Sequence, residues 1–258
     1  MSDYEVTWDD KKIIPALKQL VCDKLGNQAW DTLTDGICIP DPDSEGKCGC
    51  CNMKVMIKRL EKMADKDAIK SILFRVRHGM TQEQIGDFKK ELNDCGNNID
   101  SFLEFRRKQS KEEFIKHNAE GTKYWGDLIT DEALDFLLNT EGVLSAVRKG
   151  SELHISRHPY DMTSYFKETD ERKKRFHFCH CLFARTSILS DEGTVGKTMC
   201  YCSLGLVKAP WENTLGVELD GEVVKSVLAG DDICSFIIYL PDEIIEKYIQ
   251  NEGGINND

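Results

Sequence analysis

The chain has 258 residues, 40% of them hydrophobic and 31% charged, with a formal net charge of −11. That size and balance suit one large or two closely packed globular domains with a full apolar core. The acidity disfavours a nucleic-acid partner, whose phosphates would be repelled. No apolar run approaches the roughly 20 residues that span a bilayer. The opening MSDYEVTWDDKK places acids where a secretory leader has bases, so no membrane partner and a cytoplasmic location are expected.

In chain order, Ile13, Ile14, Leu17, Leu20 and Val21 have helical spacing, which predicts a helix over 10–26 that Gly26 ends. Residues 36–52, GICIPDPDSEGKCGCCN, read as a loop. From Asn52 an apolar stripe (Met53, Met56, Ile57, Leu60) begins a helix. After Asp65-Lys66-Asp67 the stripe resumes as Ile69, Ile72, Leu73 and Val76, to end at His78-Gly79. Thr81–Gln84 and Ser110–Glu113 have the form of capping boxes and predict helices over 81–94 and 110–119. Asp131 and Thr140 start two more.

The pattern changes near Gly150. Leu153–Ser156 predicts a strand, and RFHFCHCLF with its flanks, Arg175–Arg185, predicts another from its aromatic alternation. Cys202–Gly216 predicts a helix kinked or split at Pro210. Glu222–Leu228 and Cys234–Leu240 predict two strands joined through Ala229-Gly230-Asp231-Asp232. Pro241 opens a last helix. The sum is an α+β fold: a helical part, 1–147, packed on an antiparallel sheet with flanking helices, 148–250, and a disordered tail, 251–258.

The eleven cysteines carry the functional signal. A reducing compartment makes structural disulfides improbable, so short Cys spacings point to ligands or reactive groups. On a strand, His177, Cys179 and Cys181 would share one face. Joined by Cys200 and Cys202, and by Cys48 and Cys50 from the loop, they would make a soft donor set for a metal ion, zinc first, with an iron–sulfur centre as the other choice. Two other readings of the same residues stand: buried thiols packing as small apolar groups, or a nucleophile. In the last, Cys202 at a helix N-terminus is the nucleophile and His177 or His180 its acid–base partner. Arg75 and Arg77 are candidates to hold a ligand carboxylate, and Trp211 to line an apolar pocket. No phosphate loop, GxGxxG, GxSxG or HExxH occurs.

From His177 to Leu240 the chain combines CHC, CYCS, WENTLG and VVKSVLAGDDICSFIIYLP. This segment resembles the end of the 4-vinyl-reductase-type domain and of the family named for L-2-amino-thiazoline-4-carboxylate hydrolase. Both resemble TRAPP-type tethering subunits and small-molecule sensor domains in fold. The doubled Cys-x-Cys with the CGCC loop looks like an uncharacterised cysteine-rich bacterial family. What the resemblance implies is a fold used for binding, sensing, tethering or hydrolysis. The expectation is therefore a metal- and small-molecule-binding protein with a Cys-rich site. The alternatives are a thiol- or metal-dependent, hydrolase-like enzyme acting on a small thiol- or carboxylate-bearing compound, and a scaffold forming a homodimer through its helices.

Overall fold

The computed structural model describes residues 12–39 and 48–249, with the side chains of residues 48–51 and of Leu182 outside the description. The predicted tail, 251–258, and most of the 36–52 loop therefore lie outside the described residues.

Helices α1 (Ile13–Leu25), α2 (Asn27–Thr34), α3 (Cys48–Met63) and α4 (Lys66–Val76) open the fold. Their apolar stripes bury Leu17, Leu33, Leu60 and Leu73 in one core, each contributing roughly 1.5–3 kcal/mol. Asp65 caps α4 by accepting from the Ala68 N–H at 2.8 Å. The chain then makes a left-handed turn: Arg77, His78 and Gly79 have φ of 47°, 52° and 78°. Two non-glycine residues in that region cost about 1–2 kcal/mol each, and the turn drives the His78 ring into the interior.

The Thr81–Gln84 capping box forms, with Gln84 accepting from the Thr81 N–H at 2.9 Å, but it opens only a 3-10 turn. Helix α5 follows at Lys89–Asp94, and α6 runs unbroken from Ile99 to Glu120. The predicted start at Ser110 is thus wrong. Asn98, after the left-handed Gly96 and Asn97, already caps α6 by accepting from the Ser101 N–H at 2.8 Å. Ser110 is left in mid-helix, where its pattern has no helix end to cap. Asn98→Ala is expected to cost about 1 kcal/mol, and Ser110→Ala less than about 0.5 kcal/mol. Urea midpoints check both, and equal losses would refute the assignment of the cap.

A two-stranded ribbon, β1 (Lys123–Tyr124) and β2 (Asp127–Leu128), precedes α7 (Asp131–Asn139). No helix starts at Thr140, and turns lead to β3 (Val147–Lys149) and β4 (Glu152–Ser156). Helix α8 (Met162–Lys167) follows. Phe114, Ile129, Ala133, Leu137 and Met162 form a second, small core.

The strand predicted at Arg175–Arg185 does not exist. Residues Glu171–Phe178 form α9, Cys179–Cys181 are an extended link, and Leu182–Arg185 form α10. The physical reason is Asp170, whose carboxylate caps α9 by accepting from the Lys173 N–H at 2.9 Å. Glu171 in the first turn and Arg175 and His177 in the last also suit the helix dipole. Helix α11 runs from Cys200 to Leu215 straight through Pro210, so the predicted split does not occur. The carbonyl that Pro210 deprives of a donor belongs to Leu206, a residue on a cleft wall.

Strands β5 (Asp220–Lys225) and β6 (Ser235–Tyr239) lead to α12 (Asp242–Tyr248). The antiparallel sheet has the order β3-β4-β6-β5. Leu153 pairs with Ile238, and Val223 with Phe236, and these four are buried. The fold is α+β, as the sequence predicts, and its main core runs from Ile13 on α1 to Ile244 on α12. No helix among the described residues is long and apolar enough to cross a membrane.

Candidate functional site

Three elements deliver cysteines to one place. The Cys179–Cys181 link, the start of α11 and the residue before β6 bring Cys179, Cys181, Cys200 and Cys234 to the wall of one small chamber. Cys202 adjoins them, its Sγ lying 3.3 Å from the backbone nitrogen of His78, a residue of the chamber wall. All five are buried and carry free thiols. The chamber has about 20 Å³ of free volume, which is room for one water-sized body.

Burial is the main influence on these thiols. It pushes Cys179, Cys181 and Cys200 well up, and Cys234 up to about 11, with neighbouring sulfurs adding to the rise in the first three. These four are therefore neutral thiols at pH 7. A nearby helix N-terminus does not offset that burial at Cys200. Two sulfurs also have short polar contacts: the His78 N–H donates to Cys202 Sγ at 3.3 Å, and Cys200 Sγ lies 3.0 Å from Ser226 Oγ.

Histidines cover the chamber's other side. His78 is 2% exposed and its Nε2 meets Ser203 Oγ at 3.0 Å. His180 accepts at Nδ1 from Arg157 Nη2 (3.1 Å) and donates from Nε2 to the His158 carbonyl (2.8 Å). That pattern fixes a neutral imidazole with its proton on Nε2. His158 donates from Nδ1 to the Pro159 carbonyl at 2.9 Å. Burial, and then the charge of Arg157, hold His78 and His158 down to about 4 and His180 well below its ordinary value.

Arg157 is the centre of this arrangement. Burial lowers its pKa, but a guanidinium stays protonated. Among the described residues no carboxylate forms an ion pair with it, although Lys70, Arg77, Arg148 and Lys208 all have one. Arg157 and Leu206 line both the thiol chamber and a second, open cleft of about 360 Å³. That cleft is walled by Phe88, Phe102, Phe114, Tyr124 and Trp211. Trp211 packs edge-on against Phe88 and Phe102, with centroids 5.4 and 5.6 Å apart. Arg106, also on the cleft wall, is already paired with Glu91 at 3.1 Å.

The structure thus unites Cys179, Cys181, Cys200 and Cys202, and it puts Trp211 in the adjoining cleft, where sequence placed it at a pocket. It does not unite the rest. His177 lies on α9, with Nδ1 3.3 Å from the Asp161 carboxylate, and is absent from the chamber wall. Arg75 and Arg77 line a separate charged groove and are already engaged there. Arg75 pairs with Glu218 at 2.7 Å, and Arg77 with Glu212 at 3.0 Å, a carboxylate it shares with Lys208. The side chains of Cys48 and Cys50 lie outside the described residues. Among the described residues, no three His, Cys, Asp or Glu side chains stand close enough to hold a metal ion together.

Sequence reasoning missed Arg157, His78 and Cys234 as site residues, and reached His180 only as an alternative to His177. The signal for Arg157 was the run Ser156-Arg157-His158-Pro159 directly after a strand, and that for His180 its place between Cys179 and Cys181. That strand, β4, lies inside the sheet between β3 and β6, so the residue that follows it starts close to the core.

Residues 147–245 match a family of unknown function, DUF6144. No curated protein and no solved structure matches the chain.

Proposed function

We propose that this protein binds a small organic anion, with an aromatic or aliphatic body in the Trp211 cleft and its carboxylate on Arg157, next to the Cys-rich chamber. The observation that carries this reading is the Arg157 guanidinium, held without a carboxylate partner among the described residues where the two cavities meet. A cation drawn partly out of water without a counter-charge costs free energy, so it persists where a ligand supplies that charge. A cleft of about 360 Å³ lined by aromatic rings has the size and character of a small-molecule site. A carboxylate on a guanidinium adds paired, charge-assisted hydrogen bonds.

Calorimetric titration with 3-phenylpropanoate and with its uncharged amide tests the reading. The acid is expected to bind about tenfold or more tightly than the amide, the worth of one charge-assisted contact. Arg157→Met removes that preference. Equal binding of acid and amide by the parent protein, or no binding of either, would overturn the reading.

A further inference from the structure

Beside the thiols, the chamber wall carries a hydroxyl and an imidazole in contact. We propose that Ser203 and His78 are a nucleophile–base pair that hydrolyses an ester or thioester of a small organic acid, the acid bound in the cleft being the product. This inference deepens the carboxylate reading and rests on it only for where the acyl body lies.

Geometry carries it. Ser203 Oγ lies 3.0 Å from His78 Nε2, within the reach of a nucleophile and its general base. Two successive residues of α11 fix that contact. The Cys202 sulfur accepts from the His78 backbone N–H at 3.3 Å, while Ser203 meets the ring, so the backbone and the imidazole of one residue are both held. His78 stands at φ 52°, a left-handed backbone that a non-glycine residue keeps only where its surroundings enforce it.

The same helix leads from the pair to the cleft. Leu206, Val207, Pro210 and Trp211 wall the cleft and follow Ser203 by three, four, seven and eight residues, which puts all five on one helix face. A guest packed along that face presents its acyl end to Ser203, one turn away. Arg157 lines both cavities. It gives one N–H to His180 at 3.1 Å, and a guanidinium has five, so donors remain for a carbonyl oxygen that becomes an oxyanion. The chamber's free volume of about 20 Å³ admits that oxygen, or later one water, and leaves the acyl body in the cleft.

The Nδ1–H tautomer of neutral His78 has its lone pair on Nε2. Because burial holds the ring down to about 4, the proton reaches it only as the new C–O bond forms. Ser203 Oγ bonds to the acyl carbon, its proton passes to His78 Nε2 and on to the departing alcohol or thiol, and the C–O or C–S bond breaks. Water then adds to the acyl-serine, gives a proton to His78, and the bond to Oγ breaks as that proton returns to the serine. The sum is R–CO–XR′ plus H₂O giving R–COO⁻, H⁺ and R′XH.

The test follows nitrophenolate release from p-nitrophenyl 3-phenylpropanoate by the full-length protein, beside calorimetry with the free acid. The parent is expected to turn over repeatedly, and a fluorophosphonate probe to stop it by labelling Ser203, read by peptide mass mapping. Ser203→Ala should lower kcat/KM by about 1,000-fold or more, and His78→Gln by about 100-fold or more. No turnover, a probe attached elsewhere, or a Ser203→Ala protein that melts with its parent and hydrolyses as fast would overturn the inference. Acid that binds without Ser203-dependent turnover sinks this inference alone. Ser203-dependent turnover by a protein that does not prefer the acid to its amide supports it and sinks only the carboxylate reading. If His78→Gln does not fold, Ser203→Ala and the site of labelling still decide.

Discussion

Acidification from pH 7 to pH 5 is expected to unfold the protein cooperatively, with three imidazoles driving the transition. His78 and His158 are held down to about 4, and His180 is held well below its ordinary 6.5. The cause is burial, followed by the nearby Arg157 charge. Above pH 6.5 these groups are neutral in both states and contribute nothing to the pH dependence. Below it the unfolded chain takes up protons that the native site refuses, so stability falls as the pH falls. Each imidazole adds a slope of about 1.4 kcal/mol per pH unit, so three together approach about 4 kcal/mol per unit. His78 and His158 alone would account for roughly 3 kcal/mol each by pH 4, against a total stability on the order of 5–15 kcal/mol. The carboxylates act in the same sense but at lower pH. Against the burial that opposes it, bonds from Lys66, Tyr201 and Lys70 hold Glu222 down to about 2, so its contribution is lost only as the pH falls below the ordinary carboxylate range. Melting temperatures between pH 7.5 and 4.5 measure the effect. His78→Gln and His180→Gln should each remove about a third of the slope between pH 6.5 and 5. A melting temperature that stays flat from pH 7 to 5 would contradict the buried, neutral assignment.

Much of this site was legible in the sequence as composition, and little of it as geometry. Cys179, Cys181, Cys200 and Cys202 were marked by spacing; the first three line one chamber, and Cys202 lies beside it. The reason first given for their alignment, a common strand, was wrong, because one capping carboxylate at Asp170 outweighed the aromatic alternation of residues 175–185. A period of two survives only in the Cys179–Cys181 link, whose backbone is extended. That is enough to keep both sulfurs inward. The strands β5 and β6 and the closing helix were legible because Gly230 and Pro241 punctuate them. The partners of the thiols were not. His78 reaches the chamber only because Arg77 and His78 adopt a left-handed turn, and two non-glycine residues in succession give no sequence signal for it. Arg157 reads as one arginine among many until the sheet register places it beside Cys234, whose carbonyl accepts from its backbone N–H at 2.9 Å. Arg75 and Arg77 were plausible anion ligands by type, yet Glu218 and Glu212, more than 130 residues away in sequence, already engage them.

Gly205→Ala is expected to damage both the fold and the site, although an alanine ordinarily stabilises a helix. In an open helix the change would gain roughly 0.5–1 kcal/mol from reduced backbone entropy. Here α11 crosses α4 at this residue, with backbone against backbone. A Cβ on residue 205 would lie 2.1 Å from the Phe74 carbonyl oxygen, 2.6 Å from its carbon and 2.7 Å from its Cα. Backbone atoms within a helix cannot rotate aside, so the two helices have to separate. Over-packing of this kind costs 1–3 kcal/mol in ordinary cores and more where nothing can yield; about 3 kcal/mol or more is expected, a fall of about 6–12 °C in melting temperature. The displacement also reaches the chamber. Cys202 and Ser203 precede Gly205 by less than one turn, and the groups they meet, the His78 N–H at 3.3 Å and the His78 ring at 3.0 Å, follow directly from α4. Opening the crossing therefore exposes His78 and raises its pKa toward its ordinary value, so the variant should also lose part of the acid sensitivity argued above. Gly86→Ala is the control, because a Cβ there has nothing within 4 Å. A Gly205→Ala protein that melts with its parent and keeps the same pH profile would mean that α11 and α4 do not meet backbone to backbone, and the placement of the thiols relative to His78 would fall with that contact.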